Sequence, residues 1–168
     1  HMPSRRQRQM CIRDSWYTGA ARLQKTMTPD ELDQLDPGFR DVGREGSEIN
    51  LNQYLDAVSE RELSGTKLNT FFDNYDLLLT PTLPITAFDA GTEVPTGSGM
   101  DRWTRWTPFS YPFNLGRHPA ASIPCGLCSN GLPAGLQIVG PMNCDGHVLA
   151  ASAAYEATNP IRMPSLED

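Results

Sequence analysis

Two apolar runs, Ala120-Ala-Ser-Ile-Pro124 and Ala134 to Val139, flank Ser129-Asn130-Gly131. This arrangement constrains the fold more than any other feature of the chain. Asn and Gly accept the left-handed backbone conformations that a tight reversal needs. The two runs are therefore expected to be strands joined by that turn. Asp76-Leu-Leu-Leu-Thr80, closed by Pro81, reads as a third, short strand. Its continuous apolar run predicts a strand covered on both faces, as in α/β proteins. Asp145 or Asn143 is expected to cap a final alanine-rich helix from His147 to about Ala157, stopped by Pro160 and Pro164.

Upstream, Thr28-Pro29-Asp30-Glu31 has the pattern of a helix start, with Thr28 as cap, Pro29 at the first helical position and Glu31 three residues after the cap. Asp36-Pro37-Gly38 is expected to end or turn that helix, and the polar, glycine-bearing stretch Arg40 to Gly46 suggests a break. A longer helix is predicted from Leu51 to Asn74. Its apolar face holds Leu51, Tyr54, Leu55, Val58, Leu68, Phe71 and Phe72, spaced mostly by three or four. Gly65 weakens it by about 1 kcal/mol relative to alanine. Residues 81–108 carry Pro81, Pro84, Pro95 and Pro108 together with glycines, and read as a long loop of the kind that is often functional.

The chain has 168 residues, enough for one domain with a core. No apolar run approaches the roughly 20 residues of a membrane span. Its formal charge of −6 argues against general nucleic-acid binding. That charge is uneven. Residues 1–15 hold four of the 14 basic residues and one of the 20 acids, so the remainder carries 10 against 19, a balance of −9. His1-Met2 has the form of a cloning remnant, and residues 3–15 resemble a translated sequencing adapter of the kind that contaminates assembled environmental DNA. We expect residues 1–15 to be a disordered tail and 16–168 to be the domain. The other reading of the arm is a basic nucleic-acid-binding segment. No signal peptide is visible, and few cysteines with no disulfide framework point to a reducing cytoplasm.

Five short motifs follow one another in a specific order. They are Phe113-Asn114, Pro119-Ala120, Pro124-Cys125-Gly126, Gly131-Leu132-Pro133 and Gly135-Leu136-Gln137. Before them come Tyr75-Asp-Leu-Leu-Leu-Thr-Pro-Thr-Leu-Pro84 and the helix carrying Arg61 in Ser59-Glu-Arg-Glu. Together this set, over about Leu23 to Thr158, resembles the C-terminal part of the amidase signature family. The resemblance implies an α/β fold, namely part of a mixed sheet with helices packed on it. It implies hydrolysis of a carboxamide, with esters as a further substrate class, by a Ser–Ser–Lys centre without metal or other cofactor. One serine attacks the carbonyl, a second relays the proton and a lysine acts as base, while backbone N–H groups stabilise the oxyanion. The Gly/Ser-rich segment that holds the nucleophile has no counterpart here. Lys25 and Lys67, the only lysines, lie in no matching motif. No catalytic residue is therefore carried over, and this chain alone is expected to be weak or inactive. By analogy with the family, Trp103, Trp106, Phe109, Phe113 and Asn114 are expected to line a substrate pocket, with core or surface packing as the other reading of these aromatics. A partial sheet would leave strand edges and an apolar face open, which predicts self-association. The expected partner is a small amide or ester substrate, without nucleic acid or membrane.

Two other constellations compete. Cys125-x2-Cys128 and, 15 residues on, Cys144-x2-His147 have the spacing of a zinc site. Residues 132–141 read as an extended strand, which at about 3.3 Å per residue separates the two pairs by roughly 30 Å. Cys125 and Cys128 are otherwise expected to be buried small hydrophobes rather than a redox pair. His118 stands where the family usually carries a small or apolar residue. With Ser110 or Ser122 and an aspartate it is the alternative hydrolase centre, although no Gly-x-Ser-x-Gly elbow is present.

Overall fold

In the computed structural model, which describes residues 12–160, the chain divides into two compact units. One runs to Ser64 and the other begins at Gly65. Residues 1–11, most of the expected tail, lie outside the described residues. A π-helical turn at Ile12–Tyr17 leads into α1 (Thr18–Gln24), followed by α2 (Pro29–Asp33), α3 (Pro37–Ser47) and α4 (Leu51–Phe72). The unit boundary falls within α4.

The start of α2 forms as its sequence predicts. The Glu31 N–H donates to the Thr28 hydroxyl, and the Thr28 N–H donates back to the Glu31 carboxylate at 2.7 Å. These bonds hold the Glu31 carboxyl below its usual proton affinity, the Thr28 backbone bond most of all. The stretch from Arg40 to Gly46 is different. Its composition suggests a break, yet it is continuous helix in α3. Asp36 accepts the Phe39 N–H at 3.1 Å and Pro37 occupies the first turn, so the turn signal that ends one helix starts the next. The glycines serve close approach instead. Gly43 lies against the Gln24 side chain, and a β-carbon on Gly46 would collide with the Tyr17 carbonyl. Gln24 Nε2 donates to the Phe39 carbonyl at 2.7 Å. Tyr17, Ala20 and Val42 form the core of this unit, with Phe39 and Ile49 packed on it.

The second unit is built on a three-stranded antiparallel sheet in the order β1-β3-β2, with β1 Leu78–Pro81, β2 Ala120–Leu127 and β3 Pro133–Val139. The hairpin turn forms as expected. The Gly131 N–H donates to the Cys128 carbonyl at 2.9 Å, Gly131 takes φ +79°, and Asn130 Oδ1 accepts the Leu132 N–H at 3.3 Å. The register shifts between Pro124 and Gly126, so Cys125 has no partner on β3. Strand β1 departs from expectation. It lies at the sheet edge and pairs only with β3, so its residues alternate and Leu79 is 58% exposed, in place of cover on both faces.

Apolar side chains of β3 feed two clusters. Val139, fully buried, packs with Leu68 of α4 and with Phe113. Ile138 packs with Ile123 of β2 and with Val148 of the last helix, α6 (Asp145–Thr158). Each such side chain contributes on the order of 1.5–3 kcal/mol of burial. Neither Asn143 nor Asp145 caps α6. Cys144 occupies that position with no side-chain bond, because Asn143 adopts a left-handed φ of +63° and Asp145 is already helical. Between β1 and β2, a 3₁₀ turn at Trp103–Arg105 interrupts the expected loop, and a short helix α5 (Tyr111–Gly116), with proline in its first turn, follows it.

The glycines of the helices make a contrasting pair of predictions. A β-carbon on Gly65 would lie 3.7 Å from the Gly116 α-carbon, an ordinary van der Waals distance. Gly65→Ala should raise stability by about 0.5–1 kcal/mol, whereas Gly46→Ala should lower it because the obstructing group is backbone. Urea unfolding that ranked the two variants in the opposite order would contradict this packing.

Candidate functional site

A surface cavity of about 550 Å³ lies where the loop after β1 crosses the β2–β3 hairpin. Leu83, Ile85, Phe88 and Trp106 form its apolar walls, and Thr82 and Ser122 present hydroxyls. None of the lining side chains is ionisable. The volume falls in the range of small-molecule sites, which are apolar with a few placed polar groups. The Thr82 and Ser122 hydroxyls bond each other at 2.7 Å across strands. Gly135 lies below them, and a β-carbon there would come within 2.7 Å of the Thr82 hydroxyl, so glycine is what lets the pair close.

The loop wall is tied down by groups distant in sequence. The Trp106 indole N–H donates to the Glu93 carbonyl at 3.0 Å, and Phe88 meets the Trp106 ring edge-to-face at 5.5 Å. The Glu93 carboxylate accepts the Trp103 N–H at 3.2 Å and pairs with Arg102 at 3.4 Å. Gln137, buried at the centre of β3, donates through Nε2 both to the Thr80 hydroxyl and to the Phe109 carbonyl, each at 2.9 Å. One side chain thus joins the edge strand, the central strand and the end of the loop. Arg105 and Asp101 make a two-point ion pair, Nε to Oδ1 at 2.8 Å, and this bond is the main reason the Asp101 carboxyl sits below its usual proton affinity. The pair is exposed and adds little to stability.

Of the residues expected to line a pocket, Trp106 alone reaches this cavity. Trp103 opens the 3₁₀ turn. Phe109 is half-buried and contributes its carbonyl to Gln137. Phe113 is buried in the core with Leu68 and Val139, and Asn114 is exposed on α5. His118 is buried, and its Nε2 pairs with Asn69 Oδ1 at 3.1 Å rather than with a serine. Ser122, its other suggested partner, bonds Thr82. Among the described residues no three His, Cys, Asp or Glu side chains are placed to hold a metal ion, so Cys125, Cys128, Cys144 and His147 do not converge. Cys125 is exposed at the bulge and Cys128 half-buried, in place of the burial expected of them. The bulge takes Cys125 out of register, and its thiol reaches only the Ala134 carbonyl, at 3.5 Å. Sequence reasoning missed Gln137, Glu93 and the Thr82–Ser122 pair. Gln137 stands inside the Gly-Leu-Gln motif and carries a signal, as a polar residue in an apolar strand. Glu93 carries no local signal.

The amidase family model matches residues 14–149. The chain belongs to the amidase signature family. It is 42% identical over 105 residues to a glutamyl-tRNA(Gln) amidotransferase subunit from Brevibacillus brevis, covering 62% of this chain and 21% of that protein. The corresponding subunit from Halothermothrix orenii is 39% identical over 103 residues, 61% of this chain and 21% of that one. Among solved structures, a crystal structure of an amidase superposes with a TM-score of 0.74 at 31% identity, over 85% of this chain and 33% of the other. A bacterial aryl acylamidase of the amidase signature family gives 0.72 at 29% identity, over 92% and 34%. The chain therefore spans about a fifth of the curated relatives it matches and about a third of the solved chains. The α/β fold with helices packed on a sheet is the family's. Among the described residues, no helix is long and apolar enough to cross a membrane.

Gln137→Leu keeps the volume and removes both amide bonds, leaving the Thr80 hydroxyl and the Phe109 carbonyl short of a donor. It should cost about 1–3 kcal/mol and shift tryptophan emission as the loop wall loosens. A variant within about 0.5 kcal/mol of the parent, with unchanged emission, would contradict the role assigned to Gln137.

Proposed function

We propose that this chain is the C-terminal portion of an amidase that hydrolyses a carboxamide, and secondarily an ester, through a Ser–Ser–Lys centre supplied by residues outside it. The observation that carries the reading is the cavity at the end of the sheet, in a chain of this family. Its walls come from the two most recognisable segments, the Thr-Pro-Thr-Leu-Pro loop and the hairpin. In this reading the chain contributes substrate-pocket walls and core, and the nucleophile, proton relay and base lie elsewhere. Neither Lys25 nor Lys67 lines the cavity.

The lining also bears on the substrate. The curated relatives are glutamyl-tRNA(Gln) amidotransferase components. A free amino acid with its amide in the side chain, such as glutamine, would bring an ammonium and a carboxylate, which need charged or strongly polar partners when buried. This cavity offers two hydroxyls and apolar walls, so an uncharged aryl or alkyl group suits it better. Trp106, with Phe88 packed against it, is the side chain we assign to contact that group. Trp103, Phe109, Phe113 and Asn114 support the wall in this reading, Phe113 from within the core. A cytoplasmic location, without nucleic acid or membrane as partner, completes the proposal.

Hydrolysis of a panel of aryl amides and aryl esters by the purified chain tests the assignment. No turnover above buffer and heat-killed controls is expected. Turnover that co-purifies with the chain would mean an active centre within it and would overturn the placement of the catalytic residues outside. Self-association is expected as well. Strands β1 and β2 are both sheet edges, and Leu79, Leu127 and Leu149 are 58%, 43% and 66% exposed. Size-exclusion chromatography with light scattering should give a dimer or larger species. A monomer at every concentration would count against it.

A further inference from the structure

We propose that His118 and Asn69 form a proton-sensitive latch, which fixes the turn between α5 and β2 against the C-terminal part of α4 and lets go on acidification. The latch is independent of the hydrolytic reading. His118 is 6% exposed, which is unusual for an ionisable side chain, and its ring lies 5.4 Å from that of Phe72 on α4. Asn69 Oδ1 is a carbonyl oxygen and can only accept. Nε2, 3.1 Å away, must therefore carry the ring hydrogen. That leaves Nδ1 bare, buried and without a hydrogen-bond partner. It lies over Gly116, where a β-carbon would come within 2.7 Å of it, so no side chain at that position fills the space. The main chain adds to the clamp, because the His118 N–H donates to the Phe113 carbonyl at 3.0 Å while Arg117 takes a left-handed φ of +59°.

The neutral ring suits this site and the charged ring does not. Protonation would put a full charge on a buried ring that packs on Phe72 beside the Leu68, Phe113 and Val139 cluster, and the Gly116 backbone next to Nδ1 offsets only part of that cost. The ionisable groups flanking these contacts are Lys67 and Asp73 beside α4's contact residues, Asp76 ahead of β1, and Arg117. All four are exposed, and none moves the proton affinity of His118. Burial dominates and pushes it below the ordinary 6.5, with the Gly116 backbone working the other way. A base depressed on folding stabilises the folded state fully above about pH 6.5, and that stabilisation is lost as pH falls through the lowered folded-state value. The window opens at about 6.5 and extends to the acid side of it.

The test is a pH profile on the full chain. Nuclear magnetic resonance of the His118 Cε1–H should give a midpoint below 6.5. The melting temperature of the parent should fall between about pH 7.5 and 5.5 by more than that of His118→Gln, which retains a donor toward Asn69 but does not titrate. A midpoint at or above 6.5, or parallel melting curves for parent and variant across that window, overturns the proposal. If His118→Gln fails to fold, the parent's amide exchange decides. After correction for intrinsic rates, exchange at the His118 amide should accelerate below the midpoint, and a flat profile overturns the latch.

Discussion

Strand β3 is the element on which the second unit depends. Among the described residues it is the only strand with two partners, and three consecutive residues divide its work. Gln137 turns its amide to the Thr80 hydroxyl and the Phe109 carbonyl, Ile138 packs toward α6, and Val139 packs toward α4. Because side chains alternate across a strand, a slip of one residue would exchange these assignments and bury the wrong groups. The bond to Phe109 then sets where the loop ends, and the loop sets the cavity wall.

Much of this was legible in the sequence, for identifiable reasons. The Ser-Asn-Gly turn, the two strands it joins, the capping box at Thr28 and the long helix α4 are local decisions, made by residues next to one another. The misreadings share the opposite cause. Gly43 and Gly46 look like breaks, but they answer to Gln24 and Tyr17, about 20 and 30 residues earlier, where only a missing side chain permits contact. Leu77-Leu-Leu79 reads as doubly covered, yet cover depends on what lies beyond the edge of the sheet. Asn143 and Asp145 each suit a cap chemically, and backbone angles set by the preceding turn gave the place to Cys144.

The candidate site follows the same division. The family motifs could be read directly, and they located the loop and hairpin that wall the cavity. Which aromatic faces it could not be read, because Trp106 and Phe113 differ in tertiary placement rather than in type. Phe113 went to the core with Val139, and Trp106 went to the wall because Glu93 holds its indole. His118 is the clearest case of an exposed-looking loop histidine that the fold buries. Its neighbours are apolar or amide, so neither serine suggested for it forms a catalytic pair with it.

The central proposal is that this chain builds a pocket for an uncharged group and leaves the bond-breaking chemistry to residues outside it. The most direct measurement is a chemical-shift titration of the chain with acetanilide, compared with an analogue bearing a carboxylate on the ring. Saturable shifts are predicted for acetanilide, centred on Thr82, Phe88, Trp106 and Ser122, with much weaker ones for the charged analogue. Shifts centred elsewhere, or equal responses to both compounds, would contradict it.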